Sequence, residues 1–175
     1  MYDLGSHLID QALVLFGWPD FVFADIMIMR PVSKVDDYFE LLLYYKNFRV
    51  RLKASYQVRE AIPAFVIHGS KGSYVKHRSD VQEKNLLQGK LPVGENWGKE
   101  LSDAEGILNT ELDGEVVRQK ISSPFGNYSL FYEQLHKAIC LNAPLPVTAE
   151  EGLKVIKIIE AAIKSNEEKR VIKMI

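Results

Sequence analysis

Asp3, His7 and Asp10 fall within the opening stretch YDLGSHLIDQALVLFG. Residues four and seven apart on an α-helix share one side, so this spacing gathers two carboxylates and an imidazole into one polar stripe. An imidazole exchanges a proton near neutral pH, and a carboxylate one turn away orients it and favours its protonated form. The carboxylate of Asp10 can bind a substrate hydroxyl. Gly5 leaves room for close approach on the same helix, at a propensity cost of roughly 1 kcal/mol relative to alanine. The same donor set also suits zinc, manganese or iron. A third reading is a solvated polar face, since the helix macrodipole favours acidic residues near its start. Spacing alone leaves all three open.

The element that must carry these residues is legible. Leu4, Leu8, Ala12, Leu15 and Phe16 form an apolar lane joined by Ile9 and Leu13, which predicts an amphipathic helix from about Asp3 to Phe16. Gly17, Trp18 and Pro19 stop it. FVFADIMIMR and DDYFELLLYYK, separated by PVSKV, are rich in β-branched and aromatic residues and read as strands. Phe48, Val50, Leu52, Ala54 and Tyr56 then alternate with Arg49, Arg51, Lys53 and Ser55, giving one buried and one polar face after a hairpin turn at Lys46 and Asn47. The strand before it is apolar on both sides, with Tyr38, Leu42 and Tyr44 opposite Phe39, Leu41 and Leu43.

AFVIHG and SYVKH flank Ser70, Lys71 and Gly72 as a second hairpin. From about Arg78 to Asp113 periodicity fades into a polar stretch, read as a long loop, and EVVRQKI follows as a short strand. Asn127 or Ser129 is placed to cap a helix with the lane Phe131, Leu135, Ala138 and Ile139, which the linker NAPLPV ends. Thr148 and Glu151 form a capping box ahead of a broad apolar face that runs to about Ser165, and RVIKMI reads as a closing strand. The expected class is α+β: a mostly antiparallel, open-faced sheet with helices packed on one face.

Composition narrows the partners. With 175 residues, 47% hydrophobic and 26% charged, the chain fits a single globular domain spanning 1–175, without internal repeats or low-complexity tracts. Lys and Arg total 22 against 23 acidic residues, a formal net charge of -1 that gives no global reason to expect nucleic acid or an anionic membrane. No stretch approaches the roughly 20 apolar residues of a membrane span. Cys140 is the single cysteine, which excludes an internal disulfide and a cysteine-based zinc site and fits a reducing, cytoplasmic setting. It is expected to be buried on its helix. His68, His77 and His136 read as packing or surface residues. The stripe of Arg49, Arg51 and Lys53 reads as a solvated strand face, with an inter-subunit or anionic-ligand role as its alternative. Arg59 and Trp97 can reach a sugar from loops.

The opening motif resembles the D-x-G-x-H-x-x-D helix of the glucose-fructose oxidoreductase, inositol dehydrogenase and MocA (Gfo/Idh/MocA) family. FVIHGSKGSYVK resembles that family's hairpin, and NYSLFYEQLHKAI, PLPVTAEEGLKVIKIIEAA and EEKRVI resemble its C-terminal portion in the same order. The resemblance spans essentially the whole chain. It implies a C-terminal substrate and oligomerisation domain, normally preceded by a Rossmann domain that binds NAD or NADP. It implies that Asp3 and His7 are catalytic, with His7 the proton carrier, and that Asp10 contacts substrate. Sugars, cyclitols and related polyols are the implied substrates, and a lysine on the nucleotide domain completes the set.

The cofactor half is missing from this stretch. No G-x-G-x-x-G follows a strand, and GSKG at Gly69 to Gly72 lies between strands, where it reads as a turn rather than a phosphate cradle. The chain is therefore expected to begin where a parent enzyme passes into its catalytic helix, to hold no cofactor site of its own and to lack turnover alone. Two rivals stand beside this: a metal-dependent hydrolase or isomerase using Asp3, His7 and Asp10, and a non-catalytic sugar-binding or assembly module. A homo-oligomer, dimer or tetramer, is expected through the open sheet face, because Tyr38, Leu42 and Tyr44 would otherwise expose an apolar patch.

Overall fold

Gly5, Ile9 and Ala12, at helical spacing, are the buried residues of the first helix, and their stripe decides how the opening segment packs. The computed structural model describes residues 1–175. In chain order its elements are α1 (Leu4–Phe16), β1 (Phe21–Met27), β2 (Tyr38–Tyr44), β3 (Arg49–Ser55), β4 (Phe65–Gly69), β5 (Gly72–Lys76), α2 (Gln82–Leu87), a 3-10 turn (Ser102–Ala104), β6 (Gly106–Leu112), β7 (Glu115–Ile121), α3 (Ser129–Leu141), α4 (Ala149–Glu168) and β8 (Ile172–Lys173). They form two compact units, one of residues 1–59 with 147–175 and one of residues 60–146. The class is α+β, and each unit is built on an antiparallel sheet.

In the first unit the strand order is β3-β2-β1-β8. Phe39, Leu41 and Leu43 of β2 point to the inner face with Val22 and Ala24 of β1, and all five are buried. Against them lie Ile9 and Ala12 of α1 and Val155, Ile158, Ile159 and Ala162 of α4, so both helices cover one face of the sheet. The capping box at the start of α4 forms as its sequence requires: Thr148 Oγ1 accepts from the Glu151 backbone N–H at 3.2 Å, and Glu151 Oε2 accepts from the Thr148 N–H at 2.7 Å.

Only two residues of the expected closing strand pair with β1, through Phe21 with Lys173 and Val22 with Ile172. The end of α4 covers more of that edge. Ser165 Oγ accepts from the Ala24 N–H at 3.1 Å, and Asn166 Oδ1 accepts from the Ile26 N–H at 3.0 Å. Side chains of a helix thus take the place of a neighbouring strand.

The outer face carries Phe21, Phe23, Asp25 and Met27 beside Tyr38, Glu40, Leu42 and Tyr44, and then Arg49, Arg51, Lys53 and Ser55. The basic stripe is tied down. Arg51 and Lys53 flank Glu40 at 3.0 and 3.8 Å, and the Arg49 guanidinium lies 4.4 Å from the centre of the Tyr44 ring.

In the second unit the strand order is β4-β5-β6-β7. The Ser70–Lys71 hairpin forms as expected, with Gly69 opposite Gly72. The segment read as one long loop instead contains α2, the 3-10 turn and β6. β6 carries Asn109, Thr110 and Glu111 after Ile107 and Leu108, so it lacks a clean apolar alternation, although Asp113 and Gly114, both at positive φ, form the two-residue turn to β7. Gly98 meets Gly126 so closely that a Cβ at Gly98 would lie 1.7 Å from the Gly126 carbonyl oxygen, which only glycine permits.

α3 starts at Ser129 with Tyr128 at its N-cap and no side-chain cap, so neither expected residue holds that position, although Asn127 Oδ1, one residue earlier, accepts from the Ser129 N–H at 2.9 Å. None of its residues is buried, and Cys140 is exposed, contrary to the expectation from its helix, because no element of its unit covers that side.

Candidate active site

Asp3 stands at the N-cap of α1, the position whose side chain usually accepts from the helix's own first N–H groups. It does not do so here. Its Oδ2 instead accepts a 2.7 Å hydrogen bond from the Tyr56 hydroxyl. Tyr56 follows β3 and shares the parity of Val50, Leu52 and Ala54, residues that pack on the helix-covered core. The strand that builds the core therefore also delivers a phenol to the start of the helix. The hydrogen bond to Asp3, with burial second, raises the Tyr56 hydroxyl above its ordinary range, so it remains a protonated donor at neutral pH.

Behind Tyr56 lies a second carboxylate. Asp37 is buried, and its Oδ1 accepts from the Met29 N–H at 2.6 Å while Oδ2 accepts from the Arg30 N–H at 3.1 Å and Arg30 Nε at 2.8 Å. These bonds pull the chain after Met27 out of the sheet, ending β1 short of the expected Arg30. They also aim the guanidinium at Tyr56, with its carbon 5.2 Å from the ring centre. A cavity of about 490 Å³ opens here, with Leu4, Phe39 and Ala54 lining its apolar side and Asp3, Arg30, Val35, Asp36 and Tyr56 around them.

The Met29 N–H first, and then the Arg30 side chain, hold the Asp37 carboxyl below its usual range. A carboxyl whose folded-state value is depressed binds protons more readily unfolded than folded, so its contribution is full above the ordinary carboxylate range and is lost as pH falls through the folded value. Asp37→Asn is accordingly expected to flatten the acid side of the stability-against-pH curve, measured by urea unfolding between neutral and acidic pH. An acid slope identical to wild type would rule this out.

The predicted polar stripe forms in part. Asp3, His7 and Asp10 are exposed on the side of α1 opposite Gly5, Ile9 and Ala12. The carboxylate of Asp3 is engaged by Tyr56 rather than by His7. No group of three or more His, Cys, Asp or Glu side chains is arranged to hold a metal ion, so the stripe does not converge as a ligand set. His68 Nδ1 lies 2.9 Å from Ser73 Oγ in the β4–β5 hairpin, and His77, His136 and Arg59 are exposed. Trp97 is partly buried in the second unit.

The residues that spacing did not reveal are Tyr56, Arg30 and Asp37. Strand parity gave the face of Tyr56 but not its partner.

The GSKG turn joins β4 to β5, and its second glycine lies so close to β6 that a Cβ at Gly72 would sit 2.5 Å from the Asn109 carbonyl oxygen.

Comparison with known proteins supplies the context. A family model described as "Oxidoreductase family, C-terminal alpha/beta domain" matches residues 1–174. The chain is 41% identical over 172 residues to scyllo-inositol 2-dehydrogenase (NADP(+)) IolW of Bacillus subtilis strain 168, covering 98% of this chain and 48% of that protein. It is 36% identical over 165 residues to the uncharacterized oxidoreductase YdgJ of Escherichia coli K12, covering 94% of this chain and 47% of YdgJ. The solved structure of YvaA from Bacillus subtilis superposes with a TM-score of 0.95 at 40% identity, over 99% of this chain and 50% of YvaA. An oxidoreductase from Bacillus cereus gives 0.88 at 32% identity, over 99% and 52%. The chain thus spans about half the length of the curated relatives it matches.

Proposed function

From the premise that this chain belongs to the Gfo/Idh/MocA oxidoreductase family, as its C-terminal alpha/beta domain, we propose that it is the catalytic and substrate-binding half of an NAD- or NADP-dependent dehydrogenase acting on a sugar, cyclitol or related polyol. The carrying observation is the family match over residues 1–174, with Asp3, His7 and Asp10 presented together on the exposed side of α1. The name of the 41% identical relative, an NADP-dependent scyllo-inositol dehydrogenase, favours a ring polyol and a nicotinamide cofactor.

A bound nicotinamide supplies the acceptor for the hydride that leaves the substrate's secondary alcohol carbon. This chain's residues handle the rest. His7 removes the hydroxyl proton as the carbonyl forms and returns it in the reverse direction. Asp3 orients the imidazole and stabilises the positive charge it gains on taking the proton, and Asp10 accepts a hydrogen bond from another substrate hydroxyl. Cofactor binding falls, in this reading, to a preceding nucleotide-binding domain, which also brings a lysine to the site; the chain's span of about half the length of its curated relatives supports this. The isolated chain is then expected to show no turnover.

The test is a full-length protein assayed with NAD or NADP against a panel of cyclitols and sugars, following reduced nicotinamide by absorbance. Absence of nicotinamide-dependent oxidation of every polyol would overturn the proposal. The metal-dependent alternative gains nothing from the geometry, since the three residues do not form a ligand cluster.

Self-association through the outer face of the first unit belongs to the same reading. Phe21 and Met27 are 39% and 47% exposed there, beside half-buried Tyr38, Leu42 and Tyr44. Light scattering is expected to report a dimer or tetramer, and Leu42→Glu to shift it toward monomer. A wild-type monomer at micromolar concentration would contradict this.

A further inference from the structure

The Asp3 carboxylate is aimed by a residue far away in sequence. Tyr56 reaches Oδ2 of the exposed Asp3 at 2.7 Å across a separation of 53 residues, which leaves the carboxylate's other oxygen out of that bond. Two restraints then fix Tyr56, and both lead to Asp37. The Tyr56 backbone N–H donates to the Asp37 carbonyl oxygen at 3.0 Å, and the ring lies under the Arg30 guanidinium, which Asp37 holds by Nε at 2.8 Å. Asp37 is itself buried and immobilised by the Met29 and Arg30 N–H groups. A cation over the ring also makes the phenol a better hydrogen-bond donor.

We propose that Tyr56 is a positioning residue for the reaction: it holds Asp3 by one oxygen so that the other serves His7, and Arg30 and Asp37 fix the tyrosine in place. The inference rests on the oxidoreductase reading above. Tyr56 is not the proton carrier, because its hydroxyl proton is committed to the hydrogen bond with Asp3. Its work is geometric. A carboxylate with one oxygen pinned loses the side-chain freedom that would otherwise spread its second oxygen over many orientations. A freely rotating Asp3 at the exposed start of α1 would spend little time facing the imidazole.

Two measurements test it. In the 175-residue chain, site-resolved NMR titration of Tyr56 reports the contact, and Asp3→Asn is expected to bring the phenol back down toward its ordinary range. An unmoved titration overturns the proposal. In the full-length protein, Tyr56→Phe keeps the ring beneath Arg30 and is expected to lower kcat about 10-fold with KM changed less than about 2-fold, at an unchanged melting midpoint. Adding Tyr56→Phe to Asp3→Asn is expected to cost nothing more, since the two act as a unit.

Wild-type kcat in Tyr56→Phe, or losses that multiply in the double variant, would overturn the assignment. The failures are separable. A wild type without nicotinamide-dependent turnover sinks the functional reading and the proposal with it. An active wild type whose Tyr56 titration ignores Asp3→Asn sinks the proposal alone.

Discussion

His7→Ala in the full-length protein is expected to lower kcat by about 10²- to 10⁴-fold, the usual worth of a positioned general acid or base. KM should change little, because the imidazole acts on the proton that moves in the transition state rather than on substrate affinity. The position makes this prediction clean. His7 lies on the side of α1 opposite Gly5, Ile9 and Ala12, so its removal opens no cavity and leaves the melting midpoint where it was. Added imidazole should restore part of the lost rate by entering the vacated space. Undiminished kcat in His7→Ala, with a normally folded enzyme, would remove the residue from the mechanism and favour a non-catalytic binding role for α1.

The largest loss of stability is expected in the core of the first unit. Ile158 is fully buried on the face of α4 that packs on the sheet. Truncating it to alanine removes three carbons from a filled site and leaves a cavity, at a cost of about 2–5 kcal/mol. Urea unfolding of the 175-residue chain should show a lower midpoint with little change in slope. Ile139 offers the matched control. It lies on α3 and is 70% exposed, so the same truncation there should fall within about 0.5 kcal/mol of wild type. Equal losses at the two positions would mean that α3 is covered in solution by something the chain does not itself provide.

The two positions also show what sequence can and cannot convey. Apolar residues at helical spacing located α1 and α4, since period and burial are two expressions of one geometry, and the capping box fixed the start of α4 at Thr148. Period-2 alternation did the same for β3, and a run rich in aromatic residues and apolar on both faces did so for β2. On α3 the periodic lane predicted a buried face that its own unit does not cover, so an amphipathic pattern gave the helix without giving its partner. β6 went unread because both of its faces are partly exposed and polar residues interrupt it, although Asp113–Gly114 marked the turn that follows.

At the site, Asp3, His7 and Asp10 were legible because their relation is local, fixed by helical rise alone. The contacts of Tyr56 were not, because no short-range rule specifies a hydrogen bond across 53 residues. Asp37 was hidden for a related reason. Its partners are the Met29 and Arg30 backbone N–H groups, which every residue but proline carries and no residue type announces.

The far end of the first sheet constrains how copies can meet. Ser165 and Asn166 occupy the backbone donors of Ala24 and Ile26, and two residues of the closing strand occupy the remainder of that margin. A neighbouring chain finds only the two-residue β8 to extend on that side, a very short ladder for accretion by strand addition, the route to open-ended fibres. Subunits can still stack broad surface to broad surface, a geometry that a two-fold axis completes and terminates.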